Sequence, residues 1–166
     1  KTVVINPSSA TIQGIELEAQ AYLSENLSIR ANLGYLDSEY DDFVYTDVEG
    51  SVTDLSGLEF RRAPEFTGTL DATYAGGNAW VRGSYRYIGD HFTNATNNAE
   101  LKNDSQGLVD ASINYSINNL QFSVFGRNLT DEDGYTHGYE VAGLWSYAAT
   151  RPPRTYGLEV VYNFNN

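Results

Sequence analysis

Apolar and polar residues alternate one for one along most of the chain. Ile15, Leu17, Ala19 and Ala21 interleave with Glu16, Glu18 and Gln20, and Leu27, Ile29, Ala31, Leu33 and Tyr35 with Ser28, Arg30 and Asn32. The same alternation continues through Phe66–Tyr74, Ala79–Tyr87, Val109–Ile117, Leu120–Arg127 and Thr155–Phe164. A period of two belongs to β-strands with chemically distinct faces, and helical spacing is hard to find anywhere. The pattern predicts seven strands, over 12–22, 27–36, 66–75, 79–88, 108–117, 120–128 and 155–164. At about nine to eleven residues each they are long for a soluble sheet, and suit a tilted strand crossing a bilayer.

The strand charges share one face: Glu16, Glu18, Arg30, Asp71, Arg82, Arg86, Asp110, Arg127 and Glu159. The opposite face carries none. An Arg or Lys facing lipid near mid-membrane costs about 2–4 kcal/mol, so a membrane barrel must avoid it. A soluble sandwich also keeps charge off its inner face, so alternation alone leaves both architectures open.

The connections separate them. Short turns at Leu23–Asn26, Gly76–Asn78 and Asn118–Asn119 alternate with long segments at 36–65, 88–107 and 129–154. Gly and Asn suit tight hairpins, whereas connections beyond about 12–15 residues are uncommon in compact soluble domains. Short turns at one rim and long loops at the other are the layout of an outer-membrane barrel.

Composition refines this picture. Net charge is −12, which argues against a nucleic-acid partner. The charged strand face is nearly balanced, while the 36–65 segment places its many acids against only Arg61 and Arg62. A mixed polar lumen under an acidic outer surface follows. The thirteen Tyr residues suit half-wet interfaces, and the absence of Cys excludes disulfides and thiolate metal sites. Lys at position 1, with no Met anywhere, reads as a mature or internal fragment.

Candidate chemistry is confined to the long segments. Asp37–Phe43 carries four acids but lacks the turn glycine and terminal Glu of an EF-hand loop, so a solvated acidic loop is the expectation. Tyr40, Phe43, Tyr45, Phe60, Trp145 and Tyr147 have two readings: stacking on a sugar ring, aromatic chelate or corrin, or packing on one another. Arg61, Arg62, Arg151 and Arg154 stand where loops rejoin strands, placed to clamp an anionic ligand or to pair with nearby acids. Trp80 falls on the polar face near the short-turn rim, where packing is expected. His91 and His137 lie in separate loops without metal-ligand spacing. No nucleophile or phosphate-loop motif is present, so no catalytic residue, metal site or cofactor is expected.

Three segments carry a family resemblance. "GIELEAQAYLSENLSIRANLGYLDSEYDDF", "VFGRNLTDEDGY" and "RPPRTYGLEVVYNF" resemble, in order and spacing, stretches of TonB-dependent outer-membrane receptors. The resemblance runs from Asn6 to Phe164 and lies in the C-terminal third of the family's barrel. It implies an all-β, antiparallel transmembrane barrel of about 22 strands with a plugged lumen, of which this chain is the C-terminal segment of about seven. By the same resemblance, the partners are the N-terminal strands and plug of the same receptor, the TonB complex through the plug, outer-membrane lipid and lipopolysaccharide, and a small nutrient ligand. The location implied is the outer membrane of a Gram-negative bacterium. The activity implied is TonB-coupled uptake of a siderophore, cobalamin or oligosaccharide. The family usually closes on an aromatic residue, whereas Asn165 and Asn166 follow Phe164 here. The alternatives are a small self-contained outer-membrane barrel using Lys1–Asn6 as part of an eighth strand, and a soluble carbohydrate-binding β-sandwich.

Overall fold

The structure, a computed structural model, describes residues 9–46, 50–141 and 144–164. Lys1–Asn6 and the Asn165–Asn166 tail therefore lie outside the described residues. In chain order the strands are β1 (Ser9–Tyr22), β2 (Leu27–Asp42), β3 (Val44–Thr46), β4 (Val52–Asp54), β5 (Phe66–Gly76), β6 (Ala79–Ile88) and β7 (His91–Phe92). They continue with β8 (Lys102–Asn103), β9 (Gln106–Ile117), β10 (Leu120–Arg127), β11 (Tyr135–Val141), β12 (Trp145–Thr150) and β13 (Thr155–Tyr162). Seven of them form one antiparallel sheet in the order β1-β2-β5-β6-β9-β10-β13, so each long strand pairs with its neighbour in the chain. The other six form three two-stranded ribbons inside the long connections.

Register keeps the two faces separate across the sheet. Arg30 pairs with Asp71, Asp71 with Ser84 and Ser84 with Asp110, all on the charged side. Ala31 pairs with Leu70 and Leu70 with Tyr85 on the other. Asn118 (φ 50°) and Gly77 (φ 58°) take the left-handed conformation that lets a two-residue turn follow strand twist.

Among the described residues, nothing packs against the uncharged face. Leu17 is 64% exposed, Leu70 49% and Val160 61%. The buried apolar side chains among the described residues are Phe43, Leu55, Leu101 and Leu108. Three of these lie in the long connections, and Leu108 is on the charged side beside Arg86. A sandwich must bury its uncharged face between two sheets, so the soluble-sandwich alternative is corrected here. The apolar band is edged with aromatics: Tyr35, Phe66, Tyr87 and Tyr156 toward the loop rim, and Tyr74, Tyr115 and Tyr162 toward the turn rim. Such girdles mark the two interfaces of a membrane barrel.

Strand β2 runs to Asp42, beyond the end that alternation predicts at Leu36. Its upper part pairs with Ala10–Gln13 of β1, where Gln13 Nε2 donates to Asp37 Oδ2 at 2.8 Å and Thr11 Oγ1 to Asp41 at 3.0 Å. Asp37–Asp42 is thus strand, not an acidic loop. The pleat places Asp37, Glu39 and Asp41 on the side of Leu33 and Tyr35, with a bulge in the register beyond Tyr40. Past Tyr35 the outward face has left hydrocarbon, so carboxylates stand there without penalty.

The last two strands of the sheet meet without spare room on the lumenal side. The Phe125 ring covers Gly157, so a Cβ at that position would overlap the ring. Gly157→Ala is expected to lower stability by about 1–3 kcal/mol, the usual cost of overpacking. Urea titration of the folded receptor in detergent measures it, and an unchanged midpoint would show that Phe125 simply swings aside.

Candidate functional site

The three long connections build one ledge over the loop rim. Loop A (43–65) contains the β3–β4 ribbon, loop B (89–105) the β7–β8 ribbon, and loop C (128–154) the β11–β12 ribbon. "FGRNLTDEDGY" is the root of loop C. Asn128, 6% exposed with φ 50°, turns the chain out of β10. Its backbone N–H donates to Asp110 Oδ1 (2.8 Å), and its side-chain amide donates to the carbonyls of Glu132 (3.0 Å) and Pro152 (3.2 Å). Asn128 Oδ1 accepts from the Glu132 N–H at 2.9 Å. Asp131, also left-handed at φ 58°, accepts from the Arg154 backbone N–H (3.0 Å) and guanidinium (3.2 Å). One short motif therefore ties both ends of loop C to β9.

The candidate aromatics fall into two groups. Tyr40 stacks between Phe43 (4.9 Å) and Phe60 (4.4 Å), with Tyr45 6.1 Å from Phe43. Phe43 and Leu55 are buried, so this group forms the small core of loop A. Trp145 and Tyr147 are exposed, and with Tyr139 they form an open aromatic stripe along the β11–β12 ribbon at ring separations of 6.1 and 5.3 Å. The opposite face of that ribbon is pressed onto loop B, where Gly138 leaves room for Thr93 and Leu101.

Contacts between loops are numerous. The Arg62 N–H, on a left-handed residue (φ 58°), donates to the Phe92 carbonyl at 2.7 Å, linking loops A and B. Asn103 Nδ2 donates to the Tyr135 carbonyl (2.9 Å) and its Oδ1 accepts from the Tyr135 N–H (2.7 Å), joining B to C. Glu140 accepts from Thr96 at 2.9 Å. The Arg62 guanidinium touches His137 Nδ1, joining A to C. Since Arg can only donate, His137 Nδ1 is the acceptor and the ring is neutral in this arrangement. His91 Nε2 accepts from Asn103 Nδ2 at 3.1 Å, so its Nδ1 is the protonated nitrogen and donates to the Gly89 carbonyl at 2.9 Å. Both histidines are thus committed to loop structure. Lys102 and Asp90 pair at 2.7 Å in loop B, which holds the carboxyl below its ordinary range and the ammonium above it.

Beneath the ledge lies a niche of about 920 Å³, facing the charged side of the sheet. Its floor includes Asn32, Thr69 and Arg86, neighbours in one register row, and its roof includes Arg62, Tyr135 and Arg151. Arg151 Nη2 donates to Gln106 Oε1 at 2.6 Å, and Gln106 is itself held by donating to the Asp133 carbonyl at 2.6 Å. Among the described residues, two buried side-chain polar atoms lack a partner in the chain, Arg151 Nε and Asn32 Oδ1, and both residues line this niche. A second concavity, lined by Ile15, Leu17, Leu33, Phe66 and Leu70, opens on the uncharged face and is a dimple of the lipid-facing wall.

The predicted arginines therefore part company. Arg154 forms the ion pair that loop-rim acids led one to expect, and Arg61 is exposed with no side-chain partner among the described residues. Arg62 and Arg151 enter the niche. Arg86, Gln106 and His137 join them there or support them, and sequence reasoning did not select them. Arg86 was legible only as one more charge on the lumenal face.

A family model described as "TonB dependent receptor-like, beta-barrel" matches residues 2–129. Among solved structures, the siderophore receptor PiuA from Acinetobacter baumannii superposes with a TM-score of 0.76 at 23% identity, over 92% of this chain and 21% of that one. The ferric yersiniabactin uptake receptor FyuA from Yersinia pestis gives 0.80 at 21% identity, over 94% and 24%. The ferric citrate transporter FecA gives 0.74 at 19%, over 92% and 24%. The chain spans about a fifth to a quarter of the length of these receptors, and at such identities the likeness is one of fold. With the alternating faces, the exposed apolar band and the family match, the chain belongs to the TonB-dependent receptors and forms part of their β-barrel.

Proposed function

We propose that this chain is the C-terminal wall segment of an outer-membrane receptor of a Gram-negative bacterium, which takes up a scarce nutrient with energy delivered by the TonB complex. The observation that carries the reading is the inside-out sheet: an exposed apolar face with aromatic edges, and a charged face turned to the other side. The sheet edges β1 and β13 do not pair with each other among the described residues, which favours completion by further strands of the same receptor over a self-contained barrel. The plug, the TonB contact and the lipopolysaccharide contact belong to that whole assembly. Arg62, Arg151, Trp145 and Tyr147 are the ligand contacts favoured by their positions at the niche and on the exposed stripe. Tyr40 and Phe43 serve the loop core instead, with Tyr45 and Arg61 at its margin.

The test is growth of cells that depend on the full receptor for a limiting nutrient, with and without a functional TonB complex. Uptake is expected to disappear without TonB, and the receptor to fractionate with the outer membrane as a heat-modifiable band. Uptake that persists without TonB, or migration of residues 1–166 alone as a compact heat-modifiable monomer, would replace this reading with the self-contained barrel.

A further inference from the structure

We infer, independently of what the receptor transports, that glycine notches filled from the strand across fix the register of the three strand pairs joined by long loops. The sheet alternates two kinds of strand pair. Short turns join β1 to β2, β5 to β6 and β9 to β10, and the geometry of such a turn itself sets the register. Loops A, B and C join β2 to β5, β6 to β9 and β10 to β13, and connections of that length leave register open. A one-residue slip would turn apolar side chains into the lumen, so the alternating faces forbid it. A two-residue slip keeps every face and must be opposed by something else. Between β10 and β13 the lipid-facing row cannot oppose it. Phe122 meets Val160 and Val124 meets Leu158 there, and a slip in either direction exchanges these for equally apolar pairs.

The glycines supply what that row lacks. Phe125 of β10 faces Gly157 of β13 and, one position on, Gly126 faces Tyr156. The Phe125 ring lies where a Gly157 side chain would stand, and Tyr156 comes within 3.3 Å of the place of a Cβ on Gly126. Because the two pairs are consecutive, one knob enters its notch on the lumenal face and the other on the lipid face. The pairing of β2 with β5 repeats this crossed arrangement, with Leu33 facing Gly68 and Gly34 facing Thr67. A Cβ on Gly68 would come within 3.2 Å of Leu33, and one on Gly34 within 2.7 Å of the Thr67 hydroxyl. Between β6 and β9 the key is diagonal: Tyr85, opposite Val109, puts its hydroxyl 2.8 Å from the Cβ position of Gly107. The short-turn pairs hold no such key among the described residues. Gly14 approaches the Tyr35 carbonyl, Gly83 meets nothing within 4 Å, and Gly76 meets Tyr74 of its own strand and Asn26 of the neighbouring turn. Keys thus stand where the connection cannot set the register and are missing where it can. A two-residue slip of β13 would set Phe125 opposite Thr155 or Glu159 and Tyr156 opposite Val124 or Asn128, withdrawing both knobs from their notches. The wall can therefore find its pairing before loops A, B and C have met above it.

The experiment uses the full-length receptor, refolded from urea into lipid vesicles and oxidised with copper–phenanthroline. This chain has no cysteine, so introduced pairs report on it, each beside its single-cysteine controls. Phe122→Cys is combined with Val160→Cys for the native register, and with Leu158→Cys or Tyr162→Cys for slips of two residues. With the keys intact, the native pair is expected to dominate. Phe125→Ala with Tyr156→Ala removes both knobs, and is expected to raise slipped relative to native cross-linking about tenfold, in line with the loss of two cross-strand aromatic contacts. Phe125→Gly with Gly157→Phe returns a knob and a notch to the same register pair, and is expected to restore the native preference. In the control, Ile113→Ala with Tyr115→Ala strips two large side chains from the face that β9 shares with β10, beside the Asn118–Asn119 turn. There Ser123→Cys should still cross-link to Asn114→Cys, with no gain at Ser112→Cys. An unchanged ratio in the receptor without knobs overturns the inference, and so does slippage of equal size in the control. If the receptor without knobs does not enter vesicles, the exchanged pair decides: native cross-linking there supports the key, and its absence refutes it.

Discussion

Replacing Leu70 with arginine is expected to cost about 2–4 kcal/mol and to deplete the receptor from the outer membrane. Leu70 stands on the uncharged face of β5 midway between Phe66 and Tyr74, the aromatics at the two edges of the band. Its register partners there, Ala31 and Tyr85, offer no carboxylate. A guanidinium at that depth must either enter hydrocarbon or drag water inward. The matched control is Ser84→Arg on the adjoining strand. Ser84 turns to the other face, between Asp71 and Asp110 in the register, where an added cation meets two anions in a hydrated space. That variant is expected to stay within about 1 kcal/mol of wild type, since exposed ion pairs contribute little. Urea titration of receptor refolded into lipid vesicles measures both. Equal losses for the two substitutions would mean that the faces are not chemically distinct, and the membrane reading would fall with them.

The second large effect belongs to Asn128. Asn128→Ala removes two donated bonds and one accepted bond from a buried residue, and leaves an alanine at φ 50°. Unmet buried groups cost about 1–3 kcal/mol each, and left-handed backbone on a residue with a Cβ adds about 1–2 kcal/mol. The sum is about 3 kcal/mol or more, acting on the root of loop C rather than on the strands. Limited trypsin digestion reads it: cleavage after Arg154, at the Arg154–Thr155 bond, should accelerate strongly while the strand core remains protected. Asn128→Asp keeps the acceptor and tolerates the left-handed conformation, but loses both donors, so it should fall between. A loop C as resistant in Asn128→Ala as in wild type would show that the inter-loop contacts through Asn103 and Tyr135 hold it unaided.

The two predictions sample different parts of the molecule, and those parts were legible to different degrees. The lipid-facing stripe is a local property: each side chain is selected by what lies perpendicular to its own strand, so period-two alternation reports it directly. The extension of β2 past Leu36 was hidden for the same reason. Above the hydrocarbon both faces meet water, alternation has nothing to encode, and Asp37, Glu39 and Asp41 read as loop. The ribbons inside the long loops were hidden as well. They are two to seven residues long, and β11, "YTHGYEV", is held by a glycine seated on Thr93 and Leu101 rather than by a pattern of its own.

What this chain's sequence settled by itself is which residues face lipid and which face water, where the tight turns fall, and that long loops leave from one rim. Each follows from a solvent acting on one residue at a time. Only the tertiary structure decided which partner each of these arginines finds. Arg62 meets His137 across 75 positions and Arg151 meets Gln106 across 45, while Arg154 finds Asp131 23 away. It also decided which aromatics are spent on packing, as at Phe43, and which stay open, as at Trp145. Those outcomes depend on how three separate loops meet above the sheet, and no periodicity within any one loop records where the others will come to rest.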